Sequence, residues 1–240
     1  MDWWRDLFSS PSWQRLQLSW EDADDADEDA AQVERVLRLA PGSRVLDVPC
    51  GTGRIARRLR ADGHRVVGID AMGRFLQEAA RSDVQVICAD MRRTVVRPGT
   101  FDAAFCLWGS FGYFDDAGNH AQARALADAL APGGRCLIDT IAADTILPGF
   151  EPHASWDLGD THVEEERRYD EATERIETIW SFTWAGEREQ RATSVRLYSL
   201  AQLTDLLTEV GFGSFQAFDG ELQPFGTSSM RLWLVATVPD

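Results

Sequence analysis

Val45-Leu46-Asp47-Val48-Pro49-Cys50-Gly51-Thr52-Gly53-Arg54, followed downstream by Gly68-Ile69-Asp70, decides how this chain folds. An apolar run ends in a carboxylate, and a glycine turn follows it. A second apolar run then ends in another carboxylate. Between the runs, Ile55, Ala56 and Leu59 share one side of a helix. Arg57, Arg58 and Arg60 take the other side, and Gly63 stops it. Strand, glycine turn, helix, strand is a layout that holds a nucleoside-containing ligand. Glycines let the ligand approach the backbone, and the second acid reaches ribose hydroxyls.

The same rhythm continues outward from this unit. Val33, Val36, Leu37 and Ala40 space as one face of a preceding helix, ended by Pro41-Gly42. Met72, Phe75, Leu76 and Ala79 space as the face of a later one. Further strands are expected at 84–88, 101–107 and 135–140, with a helix over 116–130 and a turn at Pro132-Gly133-Gly134. Short apolar strands separated by helices imply a parallel sheet covered on both faces, built by right-handed crossovers. Ligands on such sheets bind beyond the carboxyl ends of the strands. Asp47, Asp70, Asp90 and Leu107-Trp108 all fall at those ends. After residue 150 the pattern changes to strands at 161–170, 174–185 and 190–198, with turns at Asp170-Glu171 and Ala185-Gly186. Ser199 and Gln202 form a capping box for a helix carrying Leu200, Leu203, Leu206, Leu207 and Val210. Two last strands, 212–218 and 230–238, are joined too closely for a helical crossover and are expected to be antiparallel. The fold class expected is α/β: one doubly wound, Rossmann-like domain over 1–240. A small antiparallel β cap (150–198) is inserted after strand five. Residues 1–30, aromatic and then acidic, form an N-terminal segment expected to act as a lid.

Composition narrows the function. A chain of 240 residues suits one such domain, and 44% apolar residues suffice for its core. The net charge of -15 opposes a phosphate backbone, so nucleic acid is not expected as a partner. No apolar run has membrane-spanning length, and Met1-Asp2-Trp3-Trp4-Arg5-Asp6 lacks the features of a signal peptide. Cys50, Cys88, Cys106 and Cys136 are scattered, with no CxxC pair, which points to a reduced, cytoplasmic protein without zinc or disulfides. The acidic run 21–29 reads as a solvated loop and first helical turn, and no metal site is expected.

Gly51-Thr52-Gly53-Arg54-Ile55-Ala56 fits the dinucleotide pattern, yet three features turn the reading from NAD to S-adenosylmethionine. Asp47, just before the turn, suits the methionine ammonium and sits poorly beside a pyrophosphate. Asp90 ends strand three, where it can accept from the adenine amino group. The chain then closes with an antiparallel pair in place of a second mononucleotide-binding half. With Asp90-Met91-Arg92, Ser110-Phe111-Gly112-Tyr113-Phe114, Leu130-Ala131-Pro132-Gly133-Gly134 and Arg196-Leu197-Tyr198-Ser199 added, the chain resembles the class I S-adenosylmethionine-dependent methyltransferases. It is similar to their bacterial small-molecule branch over nearly its whole length. The resemblance implies a seven-stranded sheet whose last strand is antiparallel. It implies Gly51 and Gly53 beneath the cofactor, Asp70 with Ala71 at the ribose, and Asp90 with Met91 at the adenine. It places Leu107 and Trp108 at the methionine part. Pro49 stands where the broader superfamily usually has glycine, which removes one backbone donor from the turn.

Methyl transfer from a sulfonium is an in-line displacement that needs alignment and exclusion of water. An amine acceptor needs no strong base, whereas a hydroxyl or carbon acid does. Tyr113 and His153 are the candidate catalytic residues; His64 reads as structural, His120 as solvent-facing, and His162, at the start of the cap, as a weaker candidate than His153. Trp4, Trp20, Tyr113, Trp180 and Arg196 are the candidate substrate contacts. Trp180 belongs to an alternating face with Ile176, Thr178, Phe182 and Trp184 that is either the cap's own core or an aromatic roof. The expected function is methylation of a nitrogen or oxygen of a small metabolite, natural-product intermediates included, by a monomer or homodimer. Carbon methylation, another reaction of the same cofactor, and a cofactor-binding accessory protein without turnover remain open at this point.

Overall fold

The structure, a computed structural model, describes residues 2–23, 26–81 and 84–240, with side chains for all of these except 18–23. β1 (Arg44–Asp47) lies inside the sheet, between two neighbours, because it is apolar toward both faces. Val45 enters one core and Leu46 the other. It pairs in parallel with β2 (Arg65–Asp70) and β4 (Phe101–Cys106). β3 (Gln85–Cys88) adds beyond β2, and β5 (Leu130–Thr140) beyond β4, again in parallel. β10 (Ser214–Phe218) and β11 (Leu232–Thr237) complete a seven-stranded sheet of order β10-β11-β5-β4-β1-β2-β3, in which β11 runs antiparallel to both neighbours. This is the sheet expected from the sequence.

α3 (Ala26–Leu37) and α4 (Arg54–Ala61) cover one face, packing Val33, Ile55 and Leu59 with Val45, Val66 and Phe105. α6 (Asp116–Ala129) and α8 (Leu200–Glu209) cover the other, packing Leu126, Leu203 and Leu207 with Leu46, Cys106 and Ile138. α5 (Gly73–Arg81) lies along β2 and β3. α8 starts with the expected capping box between Ser199 and Gln202. A single turn, α7 (Ala143–Ile146), leads from β5 to the cap.

Two elements differ from the sequence reading. Pro132-Gly133-Gly134 lies inside β5 as a bulge, since Leu130 already pairs with Phe101 and the register shifts before Ala103. The cap has four strands where three were expected: β6 (His153–Leu158), β7 (Thr161–Asp170), β8 (Arg175–Trp184) and β9 (Glu187–Arg196), paired in order and antiparallel. β6 is short and follows Pro152. Its alternation half-buries Ala154, Trp156 and Leu158 and turns His153, Ser155 and Asp157 outward.

α1 (Trp3–Ser9) and α2 (Pro11–Ala23) lie against the cap. Leu16 is buried with Val163 and Phe182 of the cap, and Trp13 packs among Trp156 and Trp180. Arg15 pairs with Asp160 at 2.7 Å, Asp6 with Arg191 at 3.4 Å, and the Ser12 N–H donates to Glu189 at 3.1 Å. Among the described residues no helix is long and apolar enough to cross a membrane, and no group of three or more His, Cys, Asp or Glu is placed to hold a metal ion.

Candidate active site

The carboxyl ends of β1, β2, β3 and β4 open into one cavity of about 450 Å³. Asp47, Asp70 and Asp90 line it from the sheet edge, together with Gly51, Ala71 and Met91. Leu107, Trp108, Ser110, Tyr113 and Phe114 line it from the segment after β4. Trp4, Phe8 and Trp13 close it from α1 and α2.

Asp47 is buried, and among the described residues no donor reaches its carboxylate. Burial pushes its pKa well above the usual carboxylate range. Neighbouring Asp70 adds to the rise, and Arg54 opposes it. Asp70 is buried as well but held in place. One oxygen accepts the Gly51 N–H at 3.0 Å, and the other accepts the Met72 N–H at 2.7 Å. Its pKa is raised by burial, against the pull of those backbone donors. Asp90 differs in being engaged by Arg92 through both oxygens, the shortest contact being 2.6 Å, and this hydrogen bonding lowers its pKa. The Arg92 guanidinium in turn lies 4.3 Å above the Phe114 ring, so the β3 end and the 110–114 segment are joined at the cavity wall.

The two turn glycines do different work. Gly51, at φ 53°, lines the cavity, and a Cβ built on it meets nothing within 4 Å. Gly53, expected beneath the ligand, packs against α5. At φ 75° its Cβ would stand 2.9 Å from Ala79 Cβ. Gly53→Ala is therefore expected to destabilise the fold by about 2 kcal/mol or more, from left-handed strain and overpacking together. Thermal melting of the variant checks this.

After β4 the chain turns sharply. Trp108 has φ 59°, and its N–H donates to the buried Asp139 at 2.7 Å. Arg231 also holds Asp139, at 2.5 Å. Arg54 and Arg231 bring their guanidiniums to 4.5 and 5.2 Å from the Trp108 ring, and Arg54 pairs with Asp29 at 3.1 Å. Segment 112–114 is fixed by Asn119, which accepts the Phe114 N–H at 3.1 Å and donates to the Phe114 carbonyl at 3.0 Å. Arg175, reaching down from the cap, donates to the same carbonyl at 2.6 Å. Tyr113 is half-buried between the rings of Trp3, at 4.8 Å, and Phe8, at 6.1 Å. Its phenol is hydrogen-bonded to Ser110, and burial raises its pKa, so it stays protonated at neutral pH.

Several expected catalytic and substrate-contact residues lie elsewhere. His153 is exposed at the start of β6, outside the cavity, because the strand's alternation turns it outward. His153→Ala is expected to leave turnover within about twofold, as for an ordinary surface change, checked by steady-state rates. Arg196 does not line the cavity. It is tied to Glu174, to the Leu197 carbonyl at 2.6 Å and to Asp116 at 3.5 Å, and so anchors the last cap strand. Trp180 is one ring removed from the cavity. It packs 5.3 Å from Trp13 and donates to Thr193 within the cap, so the cavity's roof is α1–α2 and not β8. Trp4 lines the cavity, almost fully buried. The Trp20 side chain lies outside the described residues. Arg175, Asn119 and Asp139, which shape the wall, and Phe75, which lines it, were not singled out as site residues by the sequence reading. Phe75 was legible only as an apolar helix face, and nothing local marks the other three.

With the geometry in place, known proteins give it context. Residues 45–134 match the family described as a methyltransferase domain. A demethylmenaquinone methyltransferase of Corynebacterium urealyticum is 33% identical over 119 residues, covering 50% of this chain and 50% of its own. The match thus spans about half the length of such curated relatives. An S-adenosylmethionine-dependent methyltransferase from Clostridium acetobutylicum has a similar fold, with TM-score 0.79, 16% identity, and coverage of 95% of this chain and 98% of its own. CalS10, an amino pentose methyltransferase from Micromonospora echinaspora solved with S-adenosylmethionine bound, gives TM-score 0.72, 20% identity, and coverage of 92% and 95%.

Proposed function

We propose that the chain, whose residues 45–134 match a methyltransferase domain, transfers a methyl group from S-adenosylmethionine to a nitrogen or oxygen of a small molecule. The observation that carries this reading is Asp47. A buried carboxylate without a donor is costly, and a cationic ligand group is what offsets it. The methionine ammonium is such a group, whereas the pyrophosphate of a dinucleotide would be repelled. Asp70, already oriented by Gly51 and Met72, has acceptor capacity left for ribose hydroxyls. Ala71 flanks the ribose, and Asp90 with Met91 takes the adenine. Gly51 gives the ligand close access to the turn, and Leu107 and Trp108 border its methionine end.

When bound, S-adenosylmethionine supplies an already activated methyl group. The chain's own part is alignment and dryness. α1 and α2 act as the lid: their Trp4, Phe8 and Trp13 seal the cavity, while the cap grips their outer side through Arg15–Asp160, Ser12–Glu189 and Asp6–Arg191. Tyr113 serves as a hydrogen-bonding group and not as a base. Parallel calorimetric titrations with S-adenosylmethionine, S-adenosylhomocysteine and NAD test the reading. Binding of both adenosyl ligands and not NAD is the expected result; binding of NAD alone, or of none of the three, would refute it.

A further inference from the structure

We propose that the methyl acceptor is an amine carried on an apolar body, and that acceptors bearing phosphate or carboxylate are rejected. The inference rests on the methyl-transfer reading above and adds the substrate class. Three observations lead to it.

The first is a ring cluster. Phe8 stands 5.9 Å from Trp13, 6.3 Å from Phe75 and 6.1 Å from Tyr113, and all four rings line the cavity. They come from α1, α2, α5 and the segment after β4. Aromatic faces carry negative potential and attract ammonium groups, most strongly where water is excluded. An apolar substrate body fits the same wall.

The second is charge. The charged side chains lining the cavity are Asp47, Asp70, Asp90 and Arg54. Arg54 already pairs with Asp29. Asp90 is likewise paired with Arg92, so among the described lining residues Asp47 and Asp70 are the carboxylates outside an ion pair, and these two buried acids favour a cation over an anion.

The third is the supply of bases. Among the described residues that line the cavity none is a histidine, lysine or glutamate. Tyr113 is neutral and bonded to Ser110. Asp70 and Asp90 are occupied by backbone donors and by Arg92, and Asp47 meets the methionine ammonium. A hydroxyl acceptor thus has no partner among these residues to take its proton, whereas an amine that enters as the free base needs none, and the cation that the rings and carboxylates favour is the one that forms on nitrogen as it attacks. The amine lone pair forms the new N–C bond as the methyl–sulfur bond breaks. Sulfur keeps the bonding pair, and the surplus proton on nitrogen leaves to water.

The wild-type protein, saturated with S-adenosylhomocysteine, tests this directly. Its tryptophan fluorescence is titrated with phenyltrimethylammonium, with the neutral isostere tert-butylbenzene and with phenyl phosphate. The cation is expected to bind at least tenfold more tightly than the isostere and the phosphate not to bind. Phe8→Leu is expected to weaken the cation about tenfold, the loss of a cation–π contact in a dry site. Equal affinity for the two isosteres, a preference for phenyl phosphate, or no saturable binding of the cation overturns the proposal. A turnover panel on one arylalkyl skeleton, ending in amine, alcohol, carboxylate or phosphate, is read by product mass. Methylation of the amine alone is expected, and methylation of either anion overturns it. Failure of S-adenosylhomocysteine itself to bind is a different result, and it removes the methyl-transfer reading instead.

Discussion

Asp70→Ala is expected to bind S-adenosylmethionine roughly ten- to hundredfold more weakly than the wild type, the effect of losing about 1.5–3 kcal/mol of hydrogen bonding to a charged group. The same change disturbs the apo protein, because the carboxylate also accepts the Gly51 and Met72 N–H groups. Leaving a buried donor unsatisfied costs about 1–3 kcal/mol. Binding and folding are separable through Asp70→Asn. Its amide oxygen keeps one backbone donor satisfied and removes the charge, so stability returns toward wild type while affinity stays low. Calorimetry with S-adenosylmethionine, paired with thermal melting of both variants, decides the matter. An Asn variant that binds as tightly as wild type denies Asp70 a role at the ribose.

The central β1–turn–α4–β2 unit was legible because each of its signals is local. Apolar runs, a stop glycine and strand-terminal acids sit within 27 residues of one another, counting from Arg44 to Asp70. Local signals also gave α6, α8 through its capping box and apolar face, and the antiparallel β10–β11 pair through its short connection. The expectations that failed needed information carried by tertiary contact. His153 and Arg196 have chemistry suited to a site, but strand alternation and Glu174 take them out of it. Trp180 reads first as cap core and second as roof, and Trp13 of α2, packed against it and lining the cavity, decides for the former. Gly53 shares a motif with Gly51, yet the approach of Ala79 gives it a packing role that no spacing encodes. The cap's influence on the site runs through Arg175 and through its grip on the N-terminal helices, contacts between residues tens to more than a hundred positions apart.

Asp47→Asn is expected to stabilise the apo protein and to weaken cofactor binding, an opposition that follows from one buried charge. The folded-state pKa of Asp47 is raised above its unfolded value, chiefly by burial. The native state therefore holds this proton more tightly than the unfolded chain does. Its contribution to stability is full below the unfolded pKa, near 4, and is lost as pH rises through the folded value. Above that window the apo fold carries an ionised, undonated carboxylate, and Asn removes it. A rise in Tm of a few degrees is expected near neutral pH, on the scale of about 2–4 °C per kcal/mol for a chain of this size. The same group gives binding the reverse slope. A ligand ammonium favours the ionised form, so S-adenosylmethionine affinity falls as pH drops through the raised pKa, and below it binding releases a proton. Calorimetry in two buffers of different ionisation enthalpy measures that proton directly. Wild type should release it and Asp47→Asn should not. If the Asn variant melts no higher than wild type and binds equally well, Asp47 has a donor in solution and the cavity's cationic preference loses its main support. If it is more stable and binds poorly, the strand end holds a strained charge whose release is the driving force for taking up the cofactor.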